Sequence, residues 1–110
     1  MKDVREEALL YDFYGNLLKG RQKEIYEASV LEDMSLSEIS EEYGISRQAV
    51  SAMLMRCRKT LKGYEEELKL IERFEDLKRV VLEIREAAVK GGGEYSGKIM
   101  TLSDRILEDL

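Results

Sequence analysis

The chain has 110 residues, enough for one domain with a real core and short for two. It lacks Pro and Trp, is rich in helix-forming Glu, Lys, Leu, Arg and Ala, and shows no run of alternating β-branched residues, so the predicted class is all-α. The absence of His excludes imidazole acid–base chemistry and His-ligated zinc, and the formal charge of −5 argues at first against a nucleic-acid partner.

The apolar spacing predicts a first helix over Asp3–Leu18, with Leu10, Phe13 and Leu17 on one stripe and Val4, Ala8, Tyr11 and Leu18 on its neighbour. Gly20 separates a second helix, Arg21–Leu31, whose Ile25, Ala28 and Ser29 face inward, and Glu32-Asp33-Met34 is a connection. Ser35-Leu36-Ser37-Glu38 fits a capping box and starts a third helix with Leu36, Ile39, Ser40 and Tyr43 on one face. Gly44 ends it as a left-handed residue, Ile45 turns back inward, and Ser46 caps the next helix.

That fourth helix is long. Val50, Leu54, Cys57, Leu61, Tyr64, Leu68 and Ile71 recur at spacings of four and three, as in a coiled-coil seam. Gly63 costs about 1 kcal/mol against Ala and marks the place for a bend or break. The spacing resumes through Phe74, Leu77, Val81, Ile84 and Ala88, and Gly91-Gly92-Gly93 is a linker or helix stop. Thr101–Leu110, with Leu102, Ile106, Leu107 and Leu110, is a short amphipathic helix, marginal unless docked. The expected division is a helix-turn-helix domain over 1–63, motif about 36–55, and a helical extension over 64–110. That extension carries more apolar surface than three short helices can cover, so it is expected to form a homo-oligomer, a dimer or a larger closed assembly.

Leu36–Leu54 reads as one unit, the helix-turn-helix. The first helix crosses the second and needs a small residue there, which Ser40 supplies, while Ile45, Val50 and Met53 or Leu54 anchor the pair to the core. The charge distribution agrees. Residues 1–43 hold 5 basic and 11 acidic groups and residues 64–110 hold 8 and 12, but the window 44–63 has five basic groups and no acid. A solvated helix face is the plainer alternative for that window. In the binding reading, Arg47, Gln48, Ser51, Ala52 and Met55 face the bases of double-stranded DNA: Arg pairs with guanine, Gln with adenine, and Ala or Met meets a thymine methyl. Ser46, Arg56, Arg58, Lys59 and Lys62 flank the site and meet phosphates.

Three blocks carry a resemblance to a known family. They are Leu10-Tyr11-Asp12-Phe13-Tyr14-Gly15-Asn16-Leu17-Leu18 with Arg21-Gln22, then Leu36 through Val50, then Leu61-Lys62-Gly63-Tyr64-Glu65-Glu66-Glu67-Leu68. Over about residues 8–75 the chain resembles the YlxM-like family of small bacterial helix-turn-helix proteins. The resemblance implies a domain similar to region 4 of bacterial sigma factors. It also implies a gene beside those of signal recognition particle components, hence a role in that pathway. Ser51-Ala52-Met53-Leu54 stand where the family pattern has a Tyr, polar residues and Ile, so base preferences do not carry over. The expected function is a DNA-binding regulatory protein. The alternative is an accessory protein that binds an RNA or protein component of the signal recognition particle pathway.

No enzyme is read from the remaining residues, and neither a cofactor nor a metal is expected. Glu65-Glu66-Glu67 and Glu72, Glu75 and Asp76 read as a solvated helix face with Lys69, Arg73 and Arg79. Cys57 lies on the apolar seam as a small core residue, Tyr11, Tyr14, Tyr26 and Tyr43 read as core, and Gly91–Gly93 lacks the Lys and Ser or Thr of a phosphate loop. The longest uncharged run, Gln48–Met55, is far short of a membrane span. Acidic Asp3, Glu6 and Glu7 occupy the place of a basic signal-peptide start, and with the lone Cys57 they suggest a cytoplasmic location.

Overall fold

The computed structural model describes residues 4–110, and every regular element among them is helical. The elements are α1 (Val4–Tyr14) with a 3-10 turn over Gly15–Leu17, α2 (Gly20–Val30), α3 (Leu36–Tyr43), α4 (Arg47–Leu68), α5 (Leu70–Gly91) and α6 (Ser96–Asp109). They form two compact units that divide between Lys69 and Leu70.

In the first unit, α4 packs against each of α1, α2 and α3. Its Val50, Leu54, Cys57 and Leu61 are fully buried, together with Leu10, Tyr14, Leu18, Ile25, Tyr26, Ala28 and Ile39 from the surrounding helices. Each such Leu or Ile contributes about 1.5–3 kcal/mol by leaving water. Of the tyrosines, Tyr14 and Tyr26 are buried and Tyr11 and Tyr43 half-buried. The Tyr26 hydroxyl donates to the Glu7 carbonyl at 3.0 Å. Burial pushes its pKa up, so it stays a neutral donor.

The predicted first helix differs in two ways. Asp3 lies outside the described residues, and α1 stops at Tyr14, four residues before Leu18. Gly15 lies against the Tyr11 ring, where an added Cβ would approach ring carbons to 2.4 Å, and the chain tightens there into the 3-10 turn. The change of pitch moves the apolar phase: Leu18 is buried, whereas Leu17, expected on an inward stripe, is exposed; Val4, expected on the other, is exposed as the first residue of α1.

The true buried stripe of α1 is Glu7, Leu10 and Tyr14, and its charged member has a partner. Glu7 Oε1 meets Arg58 Nε of α4 at 2.5 Å, with only 9% of the Glu7 side chain and 24% of the Arg58 side chain exposed. Beside it the exposed Glu6 lies 3.5 Å from Lys62, one turn further along α4, and two turns further along each helix Tyr14 donates to Glu65 at 2.5 Å. These contacts tie the full length of α1 to the second half of α4.

They also explain why α4 does not break at Gly63. The helix runs straight through it to Leu68, because the cost of about 1 kcal/mol for a helical glycine is offset by buried Leu61 and by Tyr64, whose ring lies 6.0 Å from that of Tyr14. The break comes at Lys69, which adopts a left-handed conformation (φ 54°) as its N–H closes on the Glu65 carbonyl at 2.8 Å. The seam therefore ends earlier than its spacing suggests: Leu68 is exposed, and Ile71 belongs to the next helix.

The second unit is a hairpin of α5 and α6. Gly92 and Gly93, both at positive φ, turn the chain, and α6 begins at Ser96, five residues before the predicted Thr101. Ser96 donates to the Ala88 carbonyl at 2.8 Å and Arg85 pairs with Asp104 at 3.1 Å, so the two helices run antiparallel.

The Glu7–Arg58 pair gives a direct expectation. Glu7→Ala leaves a half-buried guanidinium without its carboxylate and should destabilise the first unit by about 2 kcal/mol, whereas the double change Glu7→Met, Arg58→Met should recover most of that loss. Urea unfolding followed by tyrosine fluorescence measures both.

Candidate nucleic-acid interface

Ser35 and Glu38 open α3 with both halves of a capping box. The Glu38 N–H donates to Ser35 Oγ at 3.1 Å, and the Ser35 N–H donates to Glu38 Oε1 at 2.9 Å. That backbone bond, helped by the Ser35 side chain, holds the exposed Glu38 carboxyl below the usual carboxylate range. At the other end Gly44 takes φ 66°, and the Ile45 N–H returns to the Ser40 carbonyl at 3.3 Å. Ser40 Oγ donates to the Ile45 carbonyl at 2.5 Å. The small residue at the helix crossing thus also supplies the hydrogen bond that closes the turn. Ser46 then caps α4 by accepting from the Ala49 N–H at 3.0 Å.

Arg21 of α2 secures the pair from outside. It donates to the Tyr43 carbonyl at 2.9 Å and lies over the Tyr43 ring at 5.8 Å. Ile39 from α3 and Val50 and Leu54 from α4 are buried, while Met53, the other candidate anchor, is half-buried. Two short helices joined by Gly44-Ile45-Ser46 are therefore held in one geometry, with the start of the second facing outward.

The residues predicted to meet bases come together on that outward surface. Arg47, Gln48, Ser51, Ala52 and Met55 are all exposed. Gln48, Ser51, Ala52, Met55, Lys59 and Lys62 follow at helical spacing on one side of α4, opposite the buried Val50, Leu54, Cys57 and Leu61. Arg47, Gln48, Arg56 and Lys59 make no ion pair or side-chain hydrogen bond among the described residues. Among the described residues Lys62 meets exposed Glu6, a pair worth little in water and easily exchanged.

Arg58 is placed differently from the other cations of the window. Expected among the phosphate contacts, it is half-buried with its Nε on Glu7, because the α4 position it occupies faces α1 rather than solvent. Glu7 is the residue that sequence reasoning missed. Its one visible signal is a carboxylate placed on the apolar spacing of α1, three residues before Leu10 and seven before Tyr14.

The electrostatics divide the unit. A shallow depression beside Gly63 is lined by Met55, Arg58, Lys59, Lys62 and Glu66, whereas one between α2 and α3 is lined by Glu24, Glu27, Leu31, Glu32, Glu42 and Tyr43. An anion is drawn to the first and repelled by the second. Cys57 is buried, with its sulfur 3.6 Å from the Gln22 carbonyl, and burial pushes the thiol up, so it remains protonated. Among the described residues no cluster of carboxylates and cysteine is arranged to hold a metal, and no helix is long and apolar enough to cross a membrane.

Fold and surface together define a helix-turn-helix protein. The comparison with known proteins goes one step further: the chain belongs to the family described as "Putative helix-turn-helix protein, YlxM / p13 like", whose model matches residues 1–96, all of α1 to α5. It is 45% identical to the UPF0122 protein STH1464 of Symbiobacterium thermophilum over 79% of this chain and 81% of that protein. It is 46% identical to UPF0122 protein TTE1463 of Caldanaerobacter subterraneus over 71% and 67%, and 42% identical to UPF0122 protein YlxM of Bacillus subtilis over 72% of each.

Two outcomes test the local geometry. Gly44→Ala places a Cβ in open space but at φ 66°, so it should lower stability by about 1 kcal/mol through backbone strain alone, with Gly44→Asn costing less. The capping box is complete above the ordinary Glu value of about 4.3 and is lost as pH falls through the lower value of the folded state. The Ser35 amide signal should follow that titration by NMR and lose it in Glu38→Gln.

Proposed function

We propose that this protein binds duplex DNA by laying the start of α4 in the major groove, as a non-enzymatic regulator. One observation carries the reading: an acid-free, exposed stripe from Gln48 to Lys62 at the beginning of a capped helix, in a chain that is otherwise acidic. Arg47 and Gln48 have the donor patterns that pair bidentately with guanine and adenine, and Ala52 and Met55 offer apolar contact to a thymine methyl. Ser51 has a short hydroxyl suited to either kind of base edge.

Arg56, Lys59 and Lys62 neutralise phosphates on either side. The Ser46 hydroxyl, which accepts from Ala49, still has its proton to donate to a phosphate oxygen. Double-stranded RNA would hide its base edges from this surface, since its major groove is too deep and narrow for side chains. A homo-oligomer built on residues 70–110 belongs to the same reading, because a palindromic target needs two recognition helices.

Selection from random duplexes should return an enriched sequence. Arg47→Ala and Gln48→Ala should each weaken binding to it by about 1–3 kcal/mol and relax preference at one position. Affinity should fall steeply with salt, with a log–log slope of about −0.9 per phosphate, and the joint change Lys59→Gln, Lys62→Gln should flatten that slope for any duplex. Affinity too weak to measure at low ionic strength would reject this function. It would leave an accessory role toward a component of the signal recognition particle pathway as the reading.

A further inference from the structure

The α5–α6 hairpin keeps its smaller and more polar side chains between its helices. Val81, Ala88 and Ser103 are buried there, with Arg85 and Asp104 paired beside them. Most of its larger aliphatic residues lie elsewhere. Leu77, Val80 and Ile84 follow each other at helical spacing on one flank of α5, and Ile99, Leu102 and Ile106 do so on one flank of α6. Because the helices are antiparallel, the two flanks fall on the same side of the hairpin, opposite the Arg85–Asp104 pair. All six residues are 37–47% exposed.

We infer that this face is the docking site for a second copy of the same chain, two hairpins closing face to face into a four-helix bundle. Three observations favour a second copy. The six residues leave on the order of 500 Å² of apolar surface open, at the upper end of what a monomer shows. With the bordering side chains, such a face approaches the roughly 800 Å² per partner of a standard interface. The border is charge-balanced: Arg73 and Asp76 on α5 and Lys98 and Asp109 on α6 offer both signs, so a copy of the face is not repelled by itself. Finally, the unit spans only Leu70–Leu110, and a piece of about 40 residues with so small a seam is of the size that usually needs association to be stable. None of this depends on what α4 binds.

Light scattering on the full chain tests the inference. A dimer of twice the 12.7 kDa chain mass is expected, and Ile84→Glu and Leu102→Glu should each give a monomer with unchanged helical circular dichroism. Leu82→Glu, equally exposed but on the opposite flank of α5, should leave the dimer intact. If a face variant loses helicity, the unaltered chain still decides. On dilution its methyl signals from Ile84, Leu102 and Ile106 should shift while those of Leu82 stay fixed. A wild-type monomer at high micromolar concentration overturns the inference. So does a dimer that survives both face substitutions, one that only Leu82→Glu disrupts, or dilution shifts that spare the face.

Discussion

Ser40 and Ile45 are five residues apart, and the hydrogen bond between them sets where α4 begins. The Ser40 hydroxyl reaches the Ile45 carbonyl, the Ile45 N–H returns to the Ser40 carbonyl, and Gly44 between them supplies the left-handed backbone that makes both bonds reachable. A larger residue at 40 would push the helices apart, and a residue with a Cβ at 44 would strain the reversal. With the turn closed, Ser46 caps α4 and buried Val50 follows one turn later, so the outward direction of Arg47 and Gln48 is a consequence of a few short-range bonds. The rest of the first unit is arranged around that helix. α1, α2 and α3 each cover part of its inner side and leave its outer side open.

A single helix therefore serves as both the centre of the core and the candidate interface, and the two roles meet at Arg58. Its position in the basic window suggests a phosphate contact, yet its location beside α1 gives it to Glu7. Burying the pair stabilises little in net terms, because desolvation offsets much of the attraction. What it does is fix register. A charged pair at the edge of an apolar contact tolerates no sliding of α1 along α4, and Tyr14–Glu65 repeats the restraint two turns later. The cations left on the surface, Arg47, Arg56, Lys59 and Lys62, stand apart from the carboxylates of α2 and α3, and a polarised surface of this kind steers anions despite the net charge of −5.

The two units distribute their apolar residues differently. The first buries large side chains, Tyr14, Tyr26, Ile25, Ile39, Leu54 and Leu61, around one helix. The second has only two helices, and two cylinders can hide no more than one stripe of each, so a sequence with a wide apolar arc on both α5 and α6 leaves part of it outside their shared seam. That geometric limit, more than any single residue, makes the second unit the part of the chain with unfinished packing.

Much of this was legible in order of residues. The capping box Ser35–Glu38, the terminator Gly44, the cap Ser46 and the seam Val50, Leu54, Cys57 and Leu61 are signals that act within about one turn of helix, so composition and spacing alone determined the helix-turn-helix and its outward residues. Tertiary structure decided the rest. Gly63 carries the local signal for a break but lies where Tyr64 and Leu61 pack, while Lys69 carries none and takes the left-handed turn because packing on α1 has ended. The early stop of α1 depends on the Tyr11 ring against Gly15, and that of the inward stripe on the shift of pitch that follows. Glu7 is an ordinary acidic residue in sequence, and its burial exists only because Arg58, 51 positions later, arrives beside it. Caps and periodicity are local energies that a short window contains in full; a buried charge or a broken helix is decided by what another segment brings to the same place.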